Sequence, residues 1–377
     1  MSKRVFCMQK STSFDKARHW LLESGIQGEN GAFSAWFDKG TAKHSFEYSE
    51  ITGYGITALV YLSRVSEEKA ALEKASKAMA WLEERAIVEG GVLTRNYRDW
   101  ENGNEKFSFE GGNMLAFDTG MVLNGLVALY DETKDEKSLE LAKCSAGFLL
   151  DRMFDGRKMH AVYSSREGKV EKAGDRWSTQ PGSYHAKVAI GLLGLAGMTG
   201  EKKYEEAAVS LCDFALTKQA AEGRFVTNDT NNSTHLHPHC YSCEGLLFAG
   251  KKLSREDYVR AAEKAVEWAF DNQAEDGGVK PFFDGSWNEN QRSDVLAQVL
   301  RLASALKSMN LLQKVSSEKV AELEKRLLCF QDESGGFLYG KELEGQERNC
   351  VNAWCTMFAM QALSWKNRSR VMLEELI

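Results

Sequence analysis

The sequence has 377 residues, 43% of them hydrophobic and 27% charged, which are ordinary values for a folded globular protein with a sizeable core. The formal net charge is −6 without a long run of one sign, which argues against nucleic acid or an anionic membrane as a partner. No segment is apolar over a bilayer-spanning length, and residues 1–10 contain no signal-peptide core, so we expect a cytoplasmic protein.

Six amphipathic segments recur along the chain, each with apolar residues at three- and four-residue spacing and charges on the other side. They run near residues 12–26, 67–87, 135–154, 201–220, 254–274 and 316–333. Each leads into a glycine-containing loop, for example Gln273-Ala274-Glu275-Asp276-Gly277-Gly278-Val279. Glycine typically ends a helix, so each segment predicts one helix followed by a loop.

A second, more apolar helix is predicted after each loop. These helices cover 49–65, 117–131, 183–197, 239–251, 292–308 and 349–365. A helix that is apolar nearly all round has to be buried on most faces, whereas its charged partner can face solvent. The repeat therefore predicts an all-α fold, an (α/α)6 toroid of six helical hairpins in one domain over 1–377, with 1–11 and 369–377 at the periphery.

Cysteines on the predicted helices look like core residues. Cys144, Cys212 and Cys329 occupy apolar positions of the helical patterns. A disulfide framework is unusual in a chain of this size, so we expect reduced, buried thiols at these positions.

Polar and aromatic residues concentrate where the second helices begin, and closure of the ring would bring them to one mouth. The catalytic candidates among them are Asp118, Glu50, Asp294, His185, Tyr184 and His239. The substrate-binding candidates are Tyr54, Arg95, Tyr97, Trp100, Trp177, His237, Tyr241, Glu244, Arg292 and Trp354. Aromatic faces stack on sugar rings, and carboxylates and imidazoles shielded from water suit acid–base catalysis.

A structural alternative exists for several of these acids. Glu50, Asp118, Asp294 and Asn349 each lie where a helix begins, and such residues commonly cap helix N-termini. The presence of ionisable and aromatic groups at the same end of all six units favours a functional site over six separate caps.

The densest local cluster lies at the start of the fourth inner helix. It contains His235, His237, His239, Cys240 and Cys243, residue types that bind zinc. A structural zinc motif normally has a second ligand pair at defined spacing, which is missing, so no metal or other cofactor is predicted and zinc is kept as the alternative. Motifs for nucleotide binding and for a serine-hydrolase elbow are also missing from the sequence.

Three segments resemble a largely uncharacterised family of six-hairpin toroid proteins associated with polysaccharide metabolism. They are Glu50-Ile51-Thr52-Gly53-Tyr54, the helix start from Phe117 to Leu126, and Tyr241 with Glu244-Gly245-Leu246-Leu247. The layout is also similar to six-hairpin glycosidases, glucuronyl hydrolases, toroid polysaccharide lyases and sugar epimerases. The Gln-x-x-Asp-Gly-Gly turns are similar to those of terpenoid cyclases, but the aspartate-rich motifs of those enzymes are missing.

The resemblance implies a carbohydrate-active enzyme that binds a sugar or a uronic-acid-containing oligosaccharide, with reaction type left open. Hydrolysis would use two carboxylates among Asp118, Glu50 and Asp294. A lyase or epimerase would use Tyr184 or a histidine as base, with Arg292 or Arg95 neutralising a substrate acid. The alternatives are a non-catalytic glycan- or protein-binding toroid and a zinc-dependent or terpenoid-cyclase-like enzyme. The oligomeric state stays open.

Overall fold

The computed structural model describes residues 11–66, 68–366 and 368–377. Within these ranges outer and inner α-helices alternate along the chain, numbered α1 to α12. The outer helices are α1 (Ser13–Glu23), α3 (Lys69–Trp81), α5 (Glu136–Phe148), α7 (Lys202–Leu216), α9 (Glu256–Asp271) and α11 (Ser317–Leu328). The inner helices are α2 (Ser49–Ser66), α4 (Ala116–Thr133), α6 (Val188–Thr199), α8 (Leu236–Leu253), α10 (Ser293–Ser308) and α12 (Ala353–Trp365). The predicted (α/α)6 toroid is confirmed.

Short strands lie in the loops between outer and inner helices. They are β1 (Trp36–Asp38), β2 (Lys43–His44), β3 (Glu47–Tyr48), β4 (Ile87–Val88), β5 (Gly91–Val92), β6 (Arg95–Asn96), β7 (Asn113–Leu115), β8 (Val162–Ser164), β9 (Lys169–Val170), β10 (Thr234–His235), β11 (Phe282–Phe283), β12 (Trp287–Asn288), β13 (Phe337–Lys341) and β14 (Glu347–Asn352). A 3₁₀ turn, Ser183–Lys187, precedes α6. Some strand pairs lie within one loop and others join two loops, so the strands order the mouth of the ring.

Strand pairing joins successive hairpins and closes the ring. Strand β3 pairs with β6, β7 with β8, and β10 with β11, all antiparallel. Strand β1 of the first hairpin pairs with β14 of the last, with Phe37 opposite Val351. Helix α12 likewise packs against α1 and α2. The loops at the mouth are therefore held to one another, which fixes the side chains they carry.

A repeated glutamine fastens four of the six outer helices to the next outer helix. The Gln273 amide donates to Gly277 O in its own turn at 2.7 Å and to Lys319 O of α11 at 2.9 Å. Gln331 makes the same contacts with Gly335 O and with Ser13 O of α1. Gln27 and Gln219 repeat the arrangement. The Gln-x-x-Asp-Gly-Gly turns, similar in sequence to those of terpenoid cyclases, therefore have a structural role here.

The turn glycine is required by the same packing. Gly277 has φ +84°, and a Cβ there would lie 2.8 Å from Glu322 O of the next outer helix. Inner helices also approach closely through glycine, since a Cβ on Gly125 would lie 2.6 Å from Gly53 O. The glycine content of the inner helices thus permits a narrow inner ring.

The prediction of a peripheral C-terminal segment is wrong. Val371, Leu373, Leu376 and Ile377 are buried against the inner helices. The Gln361 amide of α12 donates to Glu375 O at 2.6 Å, which ties the segment to the ring end opposite the mouth. The expectation that residues 1–11 are peripheral lies outside the described residues except at Ser11, which is exposed.

Only one of the three cysteines predicted in the core is buried. Cys212 is buried, whereas Cys144 and Cys329 are exposed. Both exposed thiols lie at the edge of an outer-helix stripe, where a position that fits the apolar spacing can still face solvent. Among the described helices none is both long and apolar enough to cross a bilayer.

Candidate active site

A cavity of about 220 Å³ opens where the N-terminal ends of the inner helices converge. Its walls contain residues from all six hairpins. They are Tyr48, Glu50, Ile51, Arg95, Phe107, Leu115, Phe117, Asp118, Arg176, Trp177, Ser178, Tyr184, His237, Tyr241, Arg292 and Trp354. The volume is below the roughly 300–1,000 Å³ usual for drug-sized ligands, so the closed part suits about one sugar ring.

Two acids from neighbouring inner helices form one wall. Asp118, in the first turn of α4, is 1% exposed, and its Oδ2 has no hydrogen-bond partner among the described residues. Burial, and then the negative charge of Glu50, raise the pKa of Asp118 well above its usual range. Burial also raises the pKa of Glu50, an effect that the Tyr48 hydroxyl and Arg95 oppose. Asp118 is therefore the carboxyl that keeps its proton.

A histidine with a fixed tautomer lies on α8, which is opposite α2 in the ring. His237 Nδ1 lies 3.1 Å from Asp294 Oδ2 and 2.8 Å from Gln298 Oε1, both acceptors, so Nδ1 carries the proton. Nε2 then accepts a hydrogen bond from the Tyr241 hydroxyl at 2.9 Å. Burial lowers the pKa of His237 to about 4. His237 is thus a neutral imidazole at neutral pH, with the lone pair of Nε2 available for a proton.

Asp294 holds this histidine from behind and does not line the cavity. Its side chain is 0% exposed and accepts from the Arg292 guanidinium and, at 3.2 Å, from Trp354 Nε1. Although burial raises the pKa of Asp294, Arg292 and His237 hold it below its usual value. An ionised, fully bonded Asp294 positions His237 and does not reach a substrate.

A buried ionic cluster supports the floor of the cavity. Glu244 binds Lys187 Nζ at 2.8 Å and the Arg301 guanidinium, and all three side chains are 0% exposed. The Lys187 ammonium lies 4.5 Å from the centre of the Tyr241 ring and also donates to Ile377 O at 3.0 Å. Burial lowers the pKa of Lys187 to about 8, although Glu244 opposes the shift. The C-terminal segment and the Tyr241 ring therefore contact the same cation.

Aromatic rings form the remaining walls. The Phe117 and Tyr241 ring centres are 4.6 Å apart, and Trp177 packs edge-on against Tyr184 at 5.2 Å. Rings that contact each other are rigid and offer apolar faces to the C–H groups of a sugar. Such walls can orient a ligand with C–H faces without closing off its polar groups.

No protein-family model and no curated protein matches this sequence. Solved structures do match it in three dimensions. A cellobiose 2-epimerase from Bacillus thermoamylovorans has 14% identity and a TM-score of 0.73, covering 93% of this chain and 98% of its own. A D-mannose isomerase has 15% identity and a TM-score of 0.73, covering 96% and 100%. An α-1,6-mannanase from a Salegentibacter species has 12% identity and a TM-score of 0.62, covering 94% and 99%. They share the (α/α)6 toroid.

At these identities the likeness establishes the fold, and the site has to be judged on its own geometry. Of the catalytic candidates, Asp118, Glu50 and Tyr184 line the cavity. His185 and His239 do not, because both are buried against backbone. His185 Nδ1 accepts from Gly182 N–H at 3.3 Å, and His239 Nδ1 accepts from Phe225 N–H at 3.1 Å.

The binding candidates divide in the same way. Arg95, Trp177, His237, Tyr241, Arg292 and Trp354 line the cavity. Tyr54 and Glu244 are buried beneath it. Tyr97 packs on Phe46 at the rim, and Trp100 is 57% exposed beside Lys43. The loop position of Trp100 is compatible with the mouth, but the loop turns its ring away from the cavity.

The zinc alternative has no geometric support. Among the described residues no group of three or more His, Cys, Asp or Glu side chains could hold a metal ion. His235 stacks on Phe282 at 4.6 Å, while His239 faces Phe225 and Ala265. Cys240 and Cys243 are buried in the core. Each of these side chains therefore faces a different neighbour, and they do not converge on one point.

Sequence reasoning missed four residues that matter here. Phe107, Phe117 and Arg176 line the cavity, and Arg301 completes the buried cluster. Arg301 left a usable signal, because it is the one cation in the middle of the otherwise apolar stretch of α10. Arg176 left none, since its loop position does not show where its side chain lies.

Proposed function

We propose that this chain is a carbohydrate-active enzyme that transfers a proton at the carbon next to the carbonyl of a single sugar unit, as an epimerase or isomerase does. The observation that carries the proposal is the pairing of a protonated acid with a neutral base across a cavity of one-sugar size. Asp118 is the acid and His237 the base.

The chemistry follows from their protonation states. His237 Nε2 takes the proton from the carbon next to the carbonyl of the open-chain sugar, while the Tyr241 hydrogen bond to Nε2 yields its place. Asp118 gives its proton to the carbonyl oxygen, and the product is a neutral enediol. Return of the proton to the former carbonyl carbon, with Asp118 regaining its own from the neighbouring hydroxyl, gives the isomer. Return to the opposite face of the deprotonated carbon, with Asp118 regaining its own from the hydroxyl it had protonated, gives the epimer. Asp294 stabilises the imidazolium that forms meanwhile.

Hydrolysis is the second candidate, because Glu50 and Asp118 form a carboxyl pair in which one member keeps its proton. Glycosidases place two carboxyl groups on either side of the scissile bond. Here both acids come from neighbouring helices, and Asp294, the third carboxylate predicted for this role, is fully buried. The wall opposite Glu50 presents His237, which favours proton transfer at carbon.

The fold likeness agrees with this choice. Structures described as cellobiose 2-epimerase, sugar epimerase and D-mannose isomerase match this chain over more than nine-tenths of its length. Structures described as α-1,6-mannanase match it as well, which keeps hydrolysis as the alternative to be tested.

The test is deuterium exchange. The protein is incubated in D₂O with free aldoses and with nitrophenyl glycosides, and NMR follows C–D formation while absorbance follows nitrophenol release. We expect deuterium at C2 for wild type and an exchange rate lower by about 10²–10⁴-fold for His237→Asn. His160→Asn is the matched control, since His160 is half-buried in a loop between α5 and β8. Nitrophenol release without exchange would replace this proposal by hydrolysis.

A further inference from the structure

Not every guanidinium group of the cavity is paired with an acid. Three of them, from Arg95, Arg176 and Arg292, line the walls. Arg292 is matched by Asp294. Among the described residues, neither of the other two has a carboxylate oxygen within 4.0 Å. With Asp118 protonated, Glu50 is the one ionised carboxylate left facing two such cations.

Arg95 is held rigidly and retains a free donor. Its guanidinium packs 5.2–5.5 Å from the ring centres of Phe46, Tyr48 and Phe107, and Nη1 donates to Tyr97 at 3.2 Å. Its Nε is buried without a partner in the described part of the chain. A buried donor without an acceptor is unusual in a folded protein, and because Arg95 lines the cavity, an anion bound there would place acceptors beside this guanidinium.

Arg176 lies at the mouth on the loop before Trp177, exposed to solvent. Its side chain makes no hydrogen bond or ion pair with another described residue. The guanidinium can therefore bind a ligand without breaking a contact within the protein. Its position next to an aromatic wall places a second positive charge where a bound sugar would extend from the cavity.

The surroundings strengthen this positive field. The N-terminal ends of the inner helices, which carry partial positive charge, converge on the cavity. Below the Tyr241 ring, Lys187 and Arg301 share the single carboxylate of Glu244. The protein as a whole has a formal charge of −6, so the cavity differs in sign from the molecule around it.

We infer that the sugar handled in this cavity carries an anionic group, which Arg95 and Arg176 bind. Guanidinium forks suit both carboxylate and phosphate, so a hexuronate and a hexose phosphate are the two sources of this chemistry. The inference rests on the proposed function of the cavity but concerns recognition, not proton transfer.

Calorimetric titration with D-glucuronate, D-glucose 6-phosphate and D-glucose tests it. We expect at least one anionic sugar to bind wild type about tenfold or more tightly than glucose, with an affinity that falls as salt rises. Arg176→Gln and Arg95→Gln should each lose about tenfold or more for the anion, and clearly less for glucose. Arg157→Gln, an exposed arginine on another loop, is the matched control.

Comparing glucuronate with glucose 6-phosphate shows whether the cavity prefers a carboxylate or a phosphate. Tighter binding of either anion than of glucose supports the inference. Arg176 is exposed, so its variant keeps the test valid if Arg95→Gln fails to fold. Equal binding of glucose and both anions would overturn the inference, and so would equal losses for all three sugars in the variants. In either case deuterium exchange into glucose would leave the proposed function standing. Absence of binding by all three sugars would overturn the inference as well.

Discussion

Replacing Glu244 by glutamine should destabilise the protein more than the loss of one ordinary contact. The side chains of Glu244, Lys187 and Arg301 are 0% exposed. Gln keeps the shape of Glu but removes the one carboxylate that, among the described residues, pairs with both cations. Removing one member of a buried ion pair costs about 3–5 kcal/mol, because the partner charge stays buried. For 377 residues, an unfolding entropy of about 2.1 cal/mol/K per residue converts this cost to a melting temperature lower by roughly 4–6 °C.

The loss should also depend on pH. Lys187 has a folded pKa of about 8, below its value in the unfolded chain, so wild-type stability rises as pH rises through the interval above 8. Without Glu244 that pKa falls further, since Glu244 is the main group that raises it. Below about pH 8 wild-type Lys187 is charged and gains from Glu244, whereas above it the gain fades. The difference between the proteins should therefore be larger at pH 7 than at pH 9.

Urea unfolding at the two pH values measures the effect, with Glu256→Gln as the matched control. Glu256 pairs with Arg260 on the solvent face of α9, both side chains more than three-quarters exposed. Such a pair contributes about 0.5 kcal/mol or less. If Glu244→Gln changed the free energy of unfolding no more than the control does, the cluster would not support the cavity floor as described.

Three further predictions concern the acid and the base of the cavity and a glutamine that joins two outer helices. Asp118→Asn should abolish turnover and raise the free energy of unfolding at neutral pH, because burial and Glu50 penalise the ionised form of Asp118. Thermal melts should show this gain in stability vanishing toward about pH 4, where the acid is protonated in the unfolded chain too. A destabilised variant at neutral pH would contradict the prediction. The value of kcat/KM should rise with pH through about pH 4, as His237 loses its proton, and fall at higher pH, as Asp118 ionises. A kcat/KM that does not fall at high pH would contradict the role of Asp118 as the acid. Gln273→Ala should lower the free energy of unfolding by about 1–3 kcal/mol, because the two hydrogen bonds of the Gln273 side chain are lost. The exposed control Gln313→Ala should change it little. Equal urea midpoints for the two variants would refute the role of Gln273 in joining neighbouring outer helices.

The fold was predictable because its signal is periodic. Amphipathic and apolar helices alternate six times, and burial of the apolar set leaves a closed ring as the arrangement that covers every helix. The C-terminal segment was not predictable in this way, since Val371, Leu373 and Ile377 form no repeat. Their burial depends on the shape of the ring end.

The site was predictable to the level of helix ends and not further. Sequence position places Asp118, His185, His237 and His239 near the mouth, but a helix turns about 100° per residue, so only some of these side chains face the cavity. Roles depend on partners from distant units. The tautomer of His237, on which its proposed role as base depends, is fixed by Asp294 and Gln298 of another hairpin, which contact Nδ1.

The most direct test of the account is the C2 deuterium exchange rate of wild type, Asp118→Asn and His237→Asn with one bound sugar, measured beside the affinity of each protein for that sugar. We predict that both variants keep affinity within a few-fold and lose exchange by about 10²-fold or more. Full exchange in both variants would contradict the assignment of Asp118 and His237 as the acid and base of this cavity.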